Sequence, residues 1–120
     1  MQLGRAFCAT RISFTLDEMR LFAHRAAHSG RNETHFVQDA VRAYLAHPPA
    51  DFVPAIPAEA TEHIRASLPR ATMRELTQLA GGRARVPLLV RDAVLRYLGQ
   101  PKDHPAAYRD RRRDSQGNGE

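Results

Sequence analysis

FVQDAVRAYLAHP at residues 36–48 and LVRDAVLRYLGQP at 89–101 are the two stretches from which the fold is read. Val, Asp, Ala, Val, Tyr, Leu and Pro stand at the same places in both, so seven of thirteen positions are identical at a spacing of 53 residues. The likeness continues upstream, where RISFTLDE at 11–18 corresponds to HIRASLPR at 63–70 and Gly30 to Gly82, now at a spacing of 52. A change of one residue between blocks is what a loop insertion leaves behind, so the chain reads as an internal duplication.

Each copy reads as strand, helix, helix. Ile12, Phe14 and Leu16 alternate with Arg11, Ser13 and Thr15, the period of two that gives a strand one apolar and one polar face. Thr15 and Glu18 stand at capping-box spacing. Met19, Phe22, Ala23 and Ala26 then form one helical stripe, and Ser29-Gly30 ends what reads as a short helix. Asn32 is a good N-cap for the next helix, whose face is Phe36, Val37, Ala40, Val41, Tyr44 and Leu45. In the second copy Ile64, Ala66 and Leu68 face inward and His63, Arg65 and Ser67 outward. Pro69 suits a helix start, Met73, Leu76 and Ala80 carry the stripe, Gly81-Gly82 break it, and Leu89, Val90, Ala93, Val94, Tyr97 and Leu98 repeat the final face.

The predicted organisation is therefore an arm at 1–10, a first copy at 11–47, a linker at 48–61, a second copy at 62–99 and a flexible polar tail at 100–120. The linker PPADFVPAIPAEAT has four prolines and at about 3.1 Å per residue reaches roughly 40 Å. Phe52, Val53 and Ile56 are expected to pin it to the fold. A copy of this size cannot cover its own strand and two helix faces, so each needs the other. Antiparallel pairing of 11–16 with 63–68 solves this by placing both apolar strand faces over four interlocked helices.

At 120 residues with 42% apolar and 26% charged residues, the composition suits one small globular domain and excludes a large multi-domain enzyme. Basic residues outnumber acidic ones by 18 to 13, and 17 of the 18 are Arg. The resulting net charge of +5 favours a polyanionic partner. Cys8 stands alone, so no internal disulfide forms and a reducing cytoplasm is the expected compartment. No apolar run has the length of a membrane span or of an export signal. Neither G-x-S-x-G, a Walker loop nor H-E-x-x-H occurs, and Gly81-Gly82 is too short to cradle a phosphate, so no enzyme and no cofactor is expected.

The order strand-helix-helix, the two-faced strands RISFTL and HIRASLP, and the turns with their second helices, GRNETHFVQDAVRAYL and GGRARVPLLVRDAVLRYL, together resemble the ribbon-helix-helix family of Arc, MetJ and CopG. The resemblance covers about 11–47 and 63–99 and implies a mainly α fold with a two-stranded antiparallel ribbon. Family members usually dimerise, whereas this chain resembles a tandem form that makes an intramolecular pseudo-dimer, an arrangement similar to the TraY type. Two departures stand out: the first helix of the first copy is short, and Val86-Pro87 replaces the polar cap supplied by Asn32.

The resemblance implies double-stranded DNA as partner, with the polar ribbon face in the major groove. Arg11, Ser13, Thr15, His63, Arg65 and Ser67 are then the base-reading residues, and because the two triplets differ the site is expected to be asymmetric. Asn32 and Thr34 at one second-helix start, and Arg83 and Arg85 at the other, are the phosphate-contacting candidates; Glu33 is an unfavourable charge among them. His24 and His28 stand four apart on the first helix, but no further ligand joins them at metal spacing, so no metal is expected. Arg109, Arg111, Arg112 and Arg113 in the tail are diluted by Asp110 and Asp114. The leading expectation is a small transcriptional repressor of bacterial, phage or plasmid origin. Its alternatives are a plasmid-transfer or partition accessory protein and a protein-binding antitoxin or inhibitor that engages its partner through the linker or tail; self-association on DNA is a further expected contact.

Overall fold

The computed structural model describes residues 6–52 and 55–99. Strand β1 (Phe7–Phe14) leads into α1 (Leu16–Ser29) and α2 (Glu33–Ala46); β2 (Glu62–Pro69) leads into α3 (Arg70–Ala80) and α4 (Val86–Leu98), with a 3-10 turn at Arg83–Arg85. The described chain is thus mainly helical, with four α-helices and one two-stranded antiparallel sheet.

Both strands differ from expectation in extent. β1 begins four residues earlier and stops at Phe14, so residues 7–10 of the expected arm belong to the ribbon. Arg11 pairs with Arg65, and the ladder runs from Phe7 opposite Pro69 to Phe14 opposite Glu62. Leu16, expected inside, starts α1 and is 49% exposed. The reason is the cap: Thr15 turns the chain out of the ladder, accepting from the Glu18 N–H at 3.2 Å while its own N–H donates to Glu18 Oε1 at 2.8 Å. With 14 residues, α1 is not the shorter first helix; α3 has 11. The left-handed C-caps of these helices are Gly30 and Gly81, so Gly81 rather than Gly82 is the counterpart of Gly30. Thr15 and Pro69 occupy the two N-cap positions, which sets the strand spacing at 54 residues instead of 52.

The inward ribbon side chains Ile12, Phe14, Ala66 and Leu68 meet Phe22, Val37, Val41, Leu76, Val90 and Val94 in a single buried cluster. Phe14 and Phe22 stack at 5.4 Å, and Phe36 sets its edge against Phe22 on one side and Tyr97 on the other. Val41 and Val94, matched positions of the repeated block, are both fully buried there. Of the expected stripe on α1, Phe22 and Ala26 are buried, Met19 packs at the margin, and Ala23 faces solvent. Phe52 packs against the core, whereas Ile56 is 40% exposed; Val53 lies outside the described residues. Asp51 of this connection reaches Arg96 at 2.8 Å, and Arg96 also holds Asp92, which accepts from the Tyr44 hydroxyl at 2.8 Å. Burial foremost, then this carboxylate, pushes the Tyr44 phenol far above its ordinary range. No helix among the described residues is long and apolar enough to cross a membrane.

Candidate nucleic-acid interface

Alternation along the ribbon leaves one face open. It carries Phe7, Ala9, Arg11 and Ser13 on β1 against Pro69, Ser67, Arg65 and His63 on β2. Arg11 and Arg65 lie directly opposite each other, both exposed, and neither forms an ion pair with a described residue. Like charges facing across a ladder oppose folding. Such a pair is therefore poorly explained by stability, and it presents two planar donor forks suited to guanine edges or phosphates. Ala9, Thr10, Arg11, His63, Ile64 and Arg65 line a shallow depression at this point. Beyond it, Ser13 Oγ and His63 Nδ1 are bonded at 3.0 Å.

Five of the six expected ribbon residues are on this face, and Thr15 is not. Its hydroxyl is committed to the α1 cap and its position lies past the end of β1. Ala9 takes its place by alternation, and Phe7 extends the face by one more outward position.

Two reciprocal clasps fix the ribbon to the second helices. Gln38 Nε2 on α2 donates to the Ser67 carbonyl at 2.7 Å, and Arg91 on α4 donates to the Ser13 carbonyl at 2.9 Å. Gln38 and Arg91 occupy the same place in the repeated block, and each reaches the strand of the other half. Arg91, only 6% exposed, also forks onto Glu18 at 2.7 and 3.0 Å. The Arg91 hydrogen bond, joined by those from Thr15, outweighs burial and holds the Glu18 carboxyl below its ordinary range. Sequence reasoning passed over both residues because Gln against Arg is one of the mismatches between the blocks; the signal was an Arg in the middle of an otherwise apolar helix face.

The two second-helix starts differ. Asn32 Oδ1 accepts from the His35 N–H at 2.8 Å and is committed to capping α2. Thr34 is half-buried in the same turn, Glu33 adds a negative charge, and Arg31 is forked onto Asp39 at 2.9 and 3.0 Å. The start of α4 has no side-chain cap; Arg85 occupies the N-cap position, and Pro87 lies in the first turn. Arg83 and Arg85 are exposed there and form no ion pair with a described residue. The arrangement thus brings two unneutralised cations to one helix start and a self-satisfied turn to the other.

His24 and His28 stack at a centroid distance of 6.1 Å on the exposed side of α1. No group of three or more His, Cys, Asp or Glu that could hold a metal occurs among the described residues. The tail arginines Arg109, Arg111, Arg112 and Arg113 lie outside the described residues. Comparison of the chain with protein families, curated proteins and solved structures found no match.

Proposed function

We propose that the chain is a tandem ribbon-helix-helix protein, its two strand-helix-helix copies closing on each other as an intramolecular pseudo-dimer. It lays the β1–β2 ribbon in the major groove of double-stranded DNA and acts as a small cytoplasmic repressor by occupying its operator. The observation that carries this reading is the Arg11–Arg65 pair, set side by side on an exposed two-stranded ribbon and in no ion pair with a described residue. A ribbon of this kind fits the width of the major groove, and each Arg forks onto a guanine edge. The clasps from Gln38 and Arg91 hold the ribbon rigidly to the helices, so the donors are presented without a large ordering cost.

The strand spacing of 54 residues refines the site that is read. It matches Arg11 with Arg65 and Ser13 with Ser67, while Ala9 corresponds to His63 and Phe7 to Thr61. The bases under the centre of the ribbon should therefore be related by two-fold symmetry, with asymmetry growing outward. Selection of bound duplexes from a random pool with the purified chain tests this. A recovered motif with guanines on both strands at its centre and unlike flanks supports the proposal; failure to enrich any motif contradicts it. Each central guanine contact is worth about 1–3 kcal/mol of discrimination.

A further inference from the structure

We infer that Arg70, Arg74 and Arg83 form a backbone-phosphate grip off the Phe7–Pro69 end of the ribbon, so that the chain holds DNA on one flank of its site and not on the other. The inference rests on the DNA-binding reading and adds to it a polarity that the ribbon face alone does not have.

The three arginines border one depression whose lining also includes Met73, Thr77 and Gln78 and, next to Phe7 on β1, Cys8. All three are exposed, and none forms an ion pair with a described residue. Arg70 follows Pro69 directly, which places the cluster where the ribbon ends and not beneath its centre. Two of these charges sit in the first half of α3, a helix with no acid in its first turn and no side-chain cap. Cations near a helix start work against the helix dipole, so folding stability gives no reason for them there. Three arginine side chains bordering one depression do suit a tetrahedral oxyanion such as a phosphodiester.

The other end of the ribbon has the opposite character. Phe14 pairs with Glu62, and α1 opens with Asp17 and Glu18, in its own capping box. At the 54-residue spacing Leu16 stands where the cluster has Arg70, Arg20, exposed, stands where it has Arg74, and Arg31, near the start of α2, is neutralised by Asp39. Phosphates flanking that end meet one such cation, Arg20, beside Asp17 and Glu62, and those flanking the Phe7–Pro69 end meet three cations that form no ion pair with a described residue.

The test uses the full chain and the duplex it selects, extended on both sides, with hydroxyl-radical footprinting and titrations at several salt concentrations. The wild-type protein should protect the sugar-phosphate backbone beyond one edge of the base-read segment only. Arg70→Ala/Arg74→Ala should lose that flank, lower the salt slope by roughly two, weaken binding on the order of tenfold at low salt and keep the same base preference. Arg83→Ala, which leaves α3 untouched, should remove the same flank and lower the slope by roughly one. Unchanged slope and footprint in these variants, or flanks protected equally in the wild type, overturn the inference while leaving the ribbon reading in place. A wild-type chain that selects no duplex at all overturns the DNA reading and this inference with it.

Discussion

The two halves of the chain follow the same element order yet close their helices differently. In the first half, α1 begins with a complete capping box and two acids, and α2 begins with Asn32 bonded to the His35 N–H. In the second, α3 and α4 begin with no side-chain cap and with Arg70 and Arg85 at their starts. Caps stabilise a helix by about 0.5–2 kcal/mol and first-turn acids by about 0.3–1 kcal/mol, and first-turn cations cost a few tenths or more. The second half therefore gives up local stability at positions where it gains exposed positive charge. Rules of local consistency fail in proteins mainly where function requires it, and here the failures gather on one side of the molecule.

That contrast has meaning only if the halves share one core, and the largest predicted effect tests this. Val94→Asp puts a carboxylate into a fully buried position with no partner, costing several kcal/mol against a total of about 5–15. Chemical denaturation followed by circular dichroism should show the whole chain destabilised in one transition, and Val41→Asp should do the same. If the half without the substitution kept a separate cooperative transition, the shared core would be refuted.

The clasps give the next effect. Arg91→Met removes a buried fork from Glu18 and leaves the Ser13 carbonyl without its donor, so a loss of about 3 kcal/mol is expected. Gln38→Met removes one neutral bond at an exposed site and should cost about 1 kcal/mol. Equal losses would mean that the two clasps do not differ as their chemistry requires. The pH dependence follows from Glu18, whose folded-state value is depressed by Arg91. A depressed carboxylate contributes stability at pH above its unfolded value, and the contribution is lost as pH falls through the folded one. The gap in stability between wild type and Arg91→Met should therefore be full at neutral pH and shrink as acidification carries the pH through and below the ordinary carboxylate range.

The smallest effects concern the caps themselves. Thr15→Ala should lower stability by about 1 kcal/mol. Arg70→Glu at the start of α3 should raise it by about 0.3–1 kcal/mol, because an anion replaces a cation at a positive dipole end. Thermal melts of the two variants would need to shift in opposite directions; a destabilising Arg70→Glu would show that Arg70 is there for the fold.

Much of this was legible because the informative residues obey simple periods. Ile12 and Phe14 alternate, Thr15 and Glu18 stand at box spacing, and the repeated block marks the buried faces of α2 and α4. The extent of β1 was not legible: Cys8, Ala9 and Thr10 are small or weakly polar and show no alternation, although Cys8 and Thr10 turn inward in the ladder. The strand offset is not legible from residue type, because Pro69 and Thr15, unlike in chemistry, occupy the same N-cap position. Alternation alone therefore sets Thr15 on the candidate face, where Ala9 stands. The Arg70, Arg74 and Arg83 cluster was hidden for another reason, since residues from two elements converge only once α3 and the turn before α4 have packed.

The central claim is that the outward ribbon face reads base sequence, and the most direct measurement is the ratio of affinities for the selected duplex and for random duplex in the wild type, Arg11→Ala and Arg65→Ala. The account predicts that either substitution lowers affinity for the selected duplex far more than for random DNA, drawing the ratio toward one and relaxing preference at a single central position. Equal losses on both duplexes, or no loss on either, would contradict it.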